Sequence, residues 1–111
     1  MTQFHLIGIG GAGMSVVAEL LAQSGFEVRG SDARASAVTE ALEQQGIKVY
    51  IGQAAENVDP QAIVVVSSAI KDANPELACA RARGQRILHR SQALALASEG
   101  KDFVAVAGAH G

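Results

Sequence analysis

The chain is poor in cysteine and aromatic residues and has no surplus of positive charge. Cys79 is its single cysteine, so no disulfide can close within one chain, which suits a reducing compartment. Aromatic residues make up 4% and tryptophan is missing. Val, Ile, Leu and Ala must therefore fill the core, a diet that suits a buried parallel sheet with helices laid closely on it. The formal net charge is -2, and no run of like charge occurs. That excludes the basic footprint of a nucleic-acid binder and a polybasic membrane patch. An anionic ligand would have to be held by local donors. The apolar runs fall short of a membrane span, and glycines interrupt the apolar start, so no signal peptide is expected. No spacing of His or Cys resembles a zinc site, and no bound metal is expected.

What is present is the composition of a packed domain. Of 111 residues, 49% are hydrophobic and 18% charged, enough apolar surface to offset chain entropy in one domain of ordinary size. Strand and helix signals alternate throughout. Phe4 to Ile9 is a short apolar run, read as the first strand. Met14, Val17, Ala18 and Leu21 then share one helical face. Val28 lies in a second strand ending at Ser31-Asp32. A second helix is predicted over Ala37 to Gln45, with Val38, Ala41 and Leu42 inward. Lys48 to Ile51 and the strongly β-prone Ile63 to Val66 are the third and fourth strands. Asn74-Pro75 opens a third helix, Asn as cap and Pro at its first position. Arg86 to His89 is the fifth strand, and Ser91 is read as the cap of a last helix reaching about Ser98.

One local pattern recurs: a helix, a glycine, one residue, then a strand. It occurs at Gly25-Phe26-Glu27-Val28, Gly46-Ile47-Lys48-Val49 and Gly84-Gln85-Arg86-Ile87. It marks the αβ loops of successive βαβ units. Right-handed crossovers then predict an α/β fold, a Rossmann-like open parallel sheet of order 3-2-1-4-5 with helices on both faces.

Gly8-Ile9-Gly10-Gly11-Ala12-Gly13 fits G-x-G-x-x-G, follows a strand and opens an amphipathic helix. Gly10 has no side chain to block a diphosphate, and Gly13 lets helix and strand pack closely. The amides of Gly11, Ala12, Gly13 and Met14 are expected at the positive end of the helix dipole, where an anion needs no lysine. Asp32 stands 22 residues beyond Gly10, where a carboxylate can accept from ribose hydroxyls and repel a 2′-phosphate, or simply serve a turn. Arg34 either meets a base or phosphate or is a solvated loop residue. Ser67-Ser68-Ala69 follows the strongest strand and would line the same crevice across the switch point. His5, inside the first strand, reads as a satisfied core histidine, and Cys79 as a small core residue. His89 and Arg90 end the fifth strand at the same edge. Nothing forms a nucleophile–base pair, so no catalytic residue is expected in this chain.

These residues also carry a resemblance. His5 to Ser15, Gly30-Ser31-Asp32, Val66 to Ile70 with Asn74-Pro75-Glu76, and the terminal Val106-Ala107-Gly108-Ala109-His110-Gly111 together resemble the Mur ligase family, in the branch that adds L-alanine to UDP-N-acetylmuramate. The resemblance implies a cytoplasmic, three-domain enzyme of peptidoglycan synthesis. An N-terminal domain would hold the UDP part of the substrate, a central domain ATP and magnesium, and a C-terminal domain would help bind L-alanine. It also implies phosphorylation of the muramate carboxylate by ATP and attack of the alanine amine on the acyl phosphate. It implies that Gly10, Gly11, Ala12, Gly13, Met14 and Ser15 hold the diphosphate and that Asp32 addresses the uridine end. Ser67, Ser68, Ala69 and Ile70 would line the opposite wall, with His89 and Arg90 at the border. Gly108, Ala109, His110 and Gly111 would begin an ATP turn that in the family continues into Lys and Thr. Ala109 stands where the family commonly has Thr, and it is small enough for a phosphate turn.

Residues 1–98 are thus expected to be a UDP-substrate-binding domain, and residues 99–111 a linker with the first strand of a truncated central domain. Phe103 to Ala107 would lack its own sheet, and a chain ending in a glycine-rich turn reads as an excised piece. No cofactor is expected on the piece alone, and neither nucleic acid nor membrane as a partner. From the residues alone, an NAD-binding module of a dehydrogenase and a non-enzymatic nucleotide sensor remain open, since NAD and UDP-sugars both present a diphosphate and a ribose.

Overall fold

The computed structural model describes residues 2–98. Its elements run β1 (Gln3–Ile7), α1 (Ala12–Gln23), β2 (Glu27–Asp32), α2 (Ala37–Gln44), β3 (Lys48–Ile51), a 3₁₀ turn (Ala55–Asn57), β4 (Ile63–Val66), α3 (Pro75–Ala82) and β5 (Ile87–His89). A last helix, α4, covers 90–98. All five strands pair in parallel in the order β3-β2-β1-β4-β5. The sequence reading foresaw this order, and the bounds of β3 and β4 as well. Ile9 does not extend β1 but leaves it within the glycine turn, fully buried.

The repeated glycine pattern has one physical cause. After α1, Gly25 takes φ +93°, its N–H bonds Ala22 O, and the Phe26 N–H reaches back to Leu21 O. That pair of bonds satisfies the last carbonyls of the helix and turns the chain into β2. Gly46 repeats it with Glu43 and Leu42, and Gly84 with Arg81 and Ala80. A left-handed residue is needed at each, which glycine supplies without strain.

Two apolar layers clamp the sheet. Phe4, Leu6, Val28, Val49, Val65 and Leu88 pack with Met14, Val17, Ala18 and Leu21 of α1, Leu42 of α2, and Ala93 and Ala97 of α4. On the other face Ile7 and Val64 meet Val58, Leu77 and Ala80. The inward face of α1 is the predicted one. That of α2 is not: Val38 is 40% exposed and Ala41 is exposed, while Thr39 and Leu42 are buried. Thr39 turns inward because it closes a capping box with Ser36. Each side chain accepts the other's backbone N–H, at 3.2 and 2.8 Å.

Candidate functional site

The site grows out of the turn between β1 and α1, at the carboxyl ends of the strands. Register pairs Ile7 with Ser31, so the glycine turn lies beside the end of β2. Ser31 O accepts from both Gly8 N (2.8 Å) and Ile9 N (2.9 Å), and Gly11 N closes the turn on Gly8 O at 3.0 Å. Gly10 N donates to Asp32 Oδ2 at 2.9 Å. The Gly10 and Gly11 amides are therefore engaged within the protein, which corrects the expectation that Gly11 would offer its N–H to a ligand. Gly11 is the N-cap of α1 and supplies no side chain to it. Among the described residues, the amides of Ala12, Gly13 and Met14 have no protein partner, as the first helical turn requires. These three N–H groups, with the positive end of the helix dipole, form an arrangement suited to an anion.

A cavity of about 390 Å³ opens over them, within the ~300–1,000 Å³ of small-molecule sites. Gly8, Gly11, Ala12, Gly13 and Met14 line one side, Asp32 one end, Ser67, Ser68, Ala69 and Ile70 the opposite wall, and Arg90 the remaining edge. Arg90 reaches across to Gly13, where a Cβ would lie 2.8 Å from its Nη1. The guanidinium thus stands beside the open amides and adds a full positive charge to their partial ones. Asp32 Oδ1 faces the Arg34 N–H at the long distance of 3.5 Å, which leaves that oxygen to the cavity. A Cβ on Gly10 would lie 2.8 Å from Asp32 Oδ2 and 3.0 Å from Thr39 Cγ2, so glycine is required for this carboxylate to approach the turn.

Three predicted residues lie apart from the cavity. Gly10 is bonded beneath the turn. Ser15 hydroxyl donates to Ala12 O at 3.1 Å and faces the groove between α1 and α2. His89 is the N-cap of α4: its Nδ1 accepts from Ser91 N at 3.2 Å, while its own N–H donates to Gln92 Oε1 at 2.8 Å. The reciprocal pair is a capping box with histidine in the place of a hydroxyl residue. Ser91, expected as the cap, is a residue inside the helix. Gly108, Ala109, His110 and Gly111, and the strand predicted over Phe103 to Ala107, lie outside the described residues.

Sequence reasoning missed what lies beneath the turn. Glu76, at 0% exposure, accepts from His5 Nε2 (2.5 Å) and Ser31 Oγ (2.6 Å) with one oxygen, and from Asn57 Nδ2 (2.9 Å) and Ala54 N (3.1 Å) with the other. Burial pushes this carboxyl upward, but hydrogen bonds from His5, Ser31 and Asn57 outweigh it and hold the group below the ordinary carboxylate range. His5 is the core histidine expected, with Glu76 as its partner. Its burial in a strand was the available signal, because a buried imidazole needs a hydrogen-bond partner somewhere. Asn74 caps α3 as predicted, accepting from Glu76 N and Leu77 N.

A second hollow of about 500 Å³ lies beside the first halves of β2 and β3, among Phe26, Arg29, Lys48 and Tyr50. None of the open helix amides borders it. Among the described residues no group of three or more His, Cys, Asp or Glu could hold a metal ion, and no helix is long and apolar enough to cross a membrane. The 390 Å³ cavity offers fixed donors and one carboxylate, with neither histidine nor cysteine in its lining. Donors of this kind at the start of a helix are suited to a phosphate group.

Known proteins resemble this chain in sequence and in fold. The family model described as Mur ligase family, catalytic domain, matches residues 3–102. UDP-N-acetylmuramate–L-alanine ligase of Bifidobacterium longum subsp. infantis is 59% identical over 107 residues, covering 96% of this chain and 21% of that relative. Among solved structures, the UDP-N-acetylmuramate-alanine ligase of Thermotoga maritima superposes with a TM-score of 0.79 at 33% identity, over 83% of this chain and 21% of that one. The UDP-N-acetylmuramate:L-alanyl-gamma-D-glutamyl-meso-diaminopimelate ligase of Neisseria meningitides gives 0.74 at 31% identity, over 81% of this chain and 29% of that one. The chain spans about a fifth of the length of the curated relatives it matches.

Proposed function

This chain belongs to the Mur ligase family, and we propose that it is the part of a UDP-N-acetylmuramate–L-alanine ligase that holds the UDP portion of the substrate. The observation that carries the reading is the cluster of open amides at Ala12, Gly13 and Met14 with the Arg90 guanidinium beside them. Two linked phosphates match it: one at the helix start, the next toward the arginine. Asp32 then receives the ribose hydroxyls, and the small wall of Ser67, Ser68, Ala69 and Ile70 leaves room for the rest of the molecule. The chain's residues bind and orient, and the carboxylate to be joined to L-alanine would be presented beyond the cavity.

In this reading residues 1–98 are the substrate-binding domain, and residues 99–111 lead into a central domain. The whole enzyme would join L-alanine to UDP-N-acetylmuramate with ATP and magnesium, in the cytoplasm, during peptidoglycan synthesis. The seat for ATP would begin at Gly108, Ala109, His110 and Gly111. The branch that takes alanine is favoured because curated relatives of that name reach 59% identity over nearly the whole chain.

Titration calorimetry of the chain with UDP-N-acetylmuramate tests the reading. Saturable heat is expected, competed by UDP and untouched by NAD. Binding of NAD with no response to UDP would overturn it.

A further inference from the structure

We infer that Glu76 is a positioning residue for the diphosphate turn, acting through Ser31 from the opposite face of the sheet. The inference rests on the reading that the turn holds the UDP substrate, and it concerns how the turn is held.

Glu76 reaches the site by two routes. One oxygen receives the Ser31 hydroxyl at 2.6 Å, and the carbonyl of that same serine carries the Gly8 and Ile9 amides. The other receives the Asn57 amide, which also donates to Gly52 O at 3.0 Å, while Gly52 N donates to Asp32 O at 2.8 Å. The carboxylate thus braces both residues that place the turn: Ser31, which carries it, and Asp32, which bonds Gly10.

The group must be an acceptor only. Each oxygen of Glu76 faces two donors. A glutamine offers one such oxygen and an NH₂ in place of the other. The Ala54 N–H cannot become an acceptor, so the glutamine carbonyl would stay with Ala54 and Asn57. Its NH₂ would then face His5 and Ser31, where a hydroxyl can reverse. Glu76→Gln can therefore fold while replacing the charge-assisted bond to Ser31 with a weaker, reversed one. Ser31→Ala cuts only that bond and leaves Glu76 three donors.

The test combines two measurements on wild type, Ser31→Ala and Glu76→Gln, at a temperature where each is folded. The first is the dissociation constant for UDP-N-acetylmuramate. The second is amide exchange at Gly8 and Ile9, referred to Val64, whose N–H bonds Arg86 O on the side of β4 turned away from β1. Both variants are expected to bind about tenfold more weakly, the scale of one hydrogen bond to a charged group. Gly8 and Ile9 are expected to exchange faster while Val64 keeps its wild-type protection. Unchanged affinity in Ser31→Ala, or exchange that quickens equally at Val64, would overturn the inference alone. A wild type that binds no UDP compound would overturn the functional reading and this inference together.

Discussion

Arg90 and Gly13 are in such close contact that a single added methyl would collide with the guanidinium: a Cβ on Gly13 would stand 2.8 Å from Nη1 and 3.2 Å from Cζ. The far end of a flexible side chain can move aside, so stability and binding should separate here. Gly13→Ala should leave the unfolding midpoint unchanged or raise it, since alanine stabilises a helix by about 0.5–1 kcal/mol over glycine. Affinity for UDP-N-acetylmuramate should fall, because the displaced guanidinium no longer stands beside the open amides. Calorimetry and thermal unfolding of the same variant check this, and equal affinity with a lowered midpoint would contradict it.

Removing the arginine itself should act in the same direction. Arg90 is exposed, so Arg90→Ala should change stability by no more than about 0.5 kcal/mol. Its loss should weaken binding by roughly tenfold or more, the worth of a charge-assisted hydrogen bond to phosphate. Arg90→Lys should recover only part, because an ammonium lacks the planar fork.

Gly30 should behave in the opposite way to Gly13. A Cβ there would lie 2.6 Å from Leu6 O and from Ile9 Cδ1. One of these is sheet backbone and the other the buried residue of the glycine turn, so neither can yield cheaply. Gly30→Ala should cost about 1–3 kcal/mol or more in urea unfolding. A wild-type midpoint would show that β2 can shift away from β1.

Acid should expose the role of Glu76. Its carboxyl is raised by burial but lowered further by the hydrogen bonds of His5, Ser31 and Asn57, with a net downward shift. A group whose folded pKa lies below its unfolded value of about 4.3 contributes its full stability above that value and loses it as pH falls through the folded one. The urea midpoint of wild type should therefore drop on acidification below about pH 4, and that of Glu76→Gln should drop less. Parallel profiles would assign the acid sensitivity to other carboxylates.

The sequence disclosed what is written locally and periodically. The inward stripe of α1, the three helix-ending glycines and the β-rich run of β4 each follow from short-range geometry, and together they fix the strand order. The face of α2 was misread because Val38 looks apolar while Thr39, drawn in by its capping box, looks polar. The capping role of His89 was not legible, because capping by histidine has no sequence signature as plain as that of serine. Glu76 was hidden by distance: its bond to His5 joins residues 71 apart, and an acid in the first turn of a helix ordinarily faces water. That Arg90 and the stretch Ser67 to Ile70 border one cavity with the first turn was legible, because the switch-point rule brings the ends of β4 and β5 there.

The most direct measurement is a residue-resolved amide titration of the chain with UDP-N-acetylmuramate. If phosphates settle on the unbonded N–H groups of the first helix, the signals of Ala12, Gly13 and Met14 should move most and saturate together with the Arg90 side-chain signal. Shifts centred instead on Arg29, Lys48 and Tyr50, or no saturable shift at the three helix amides, would contradict the account.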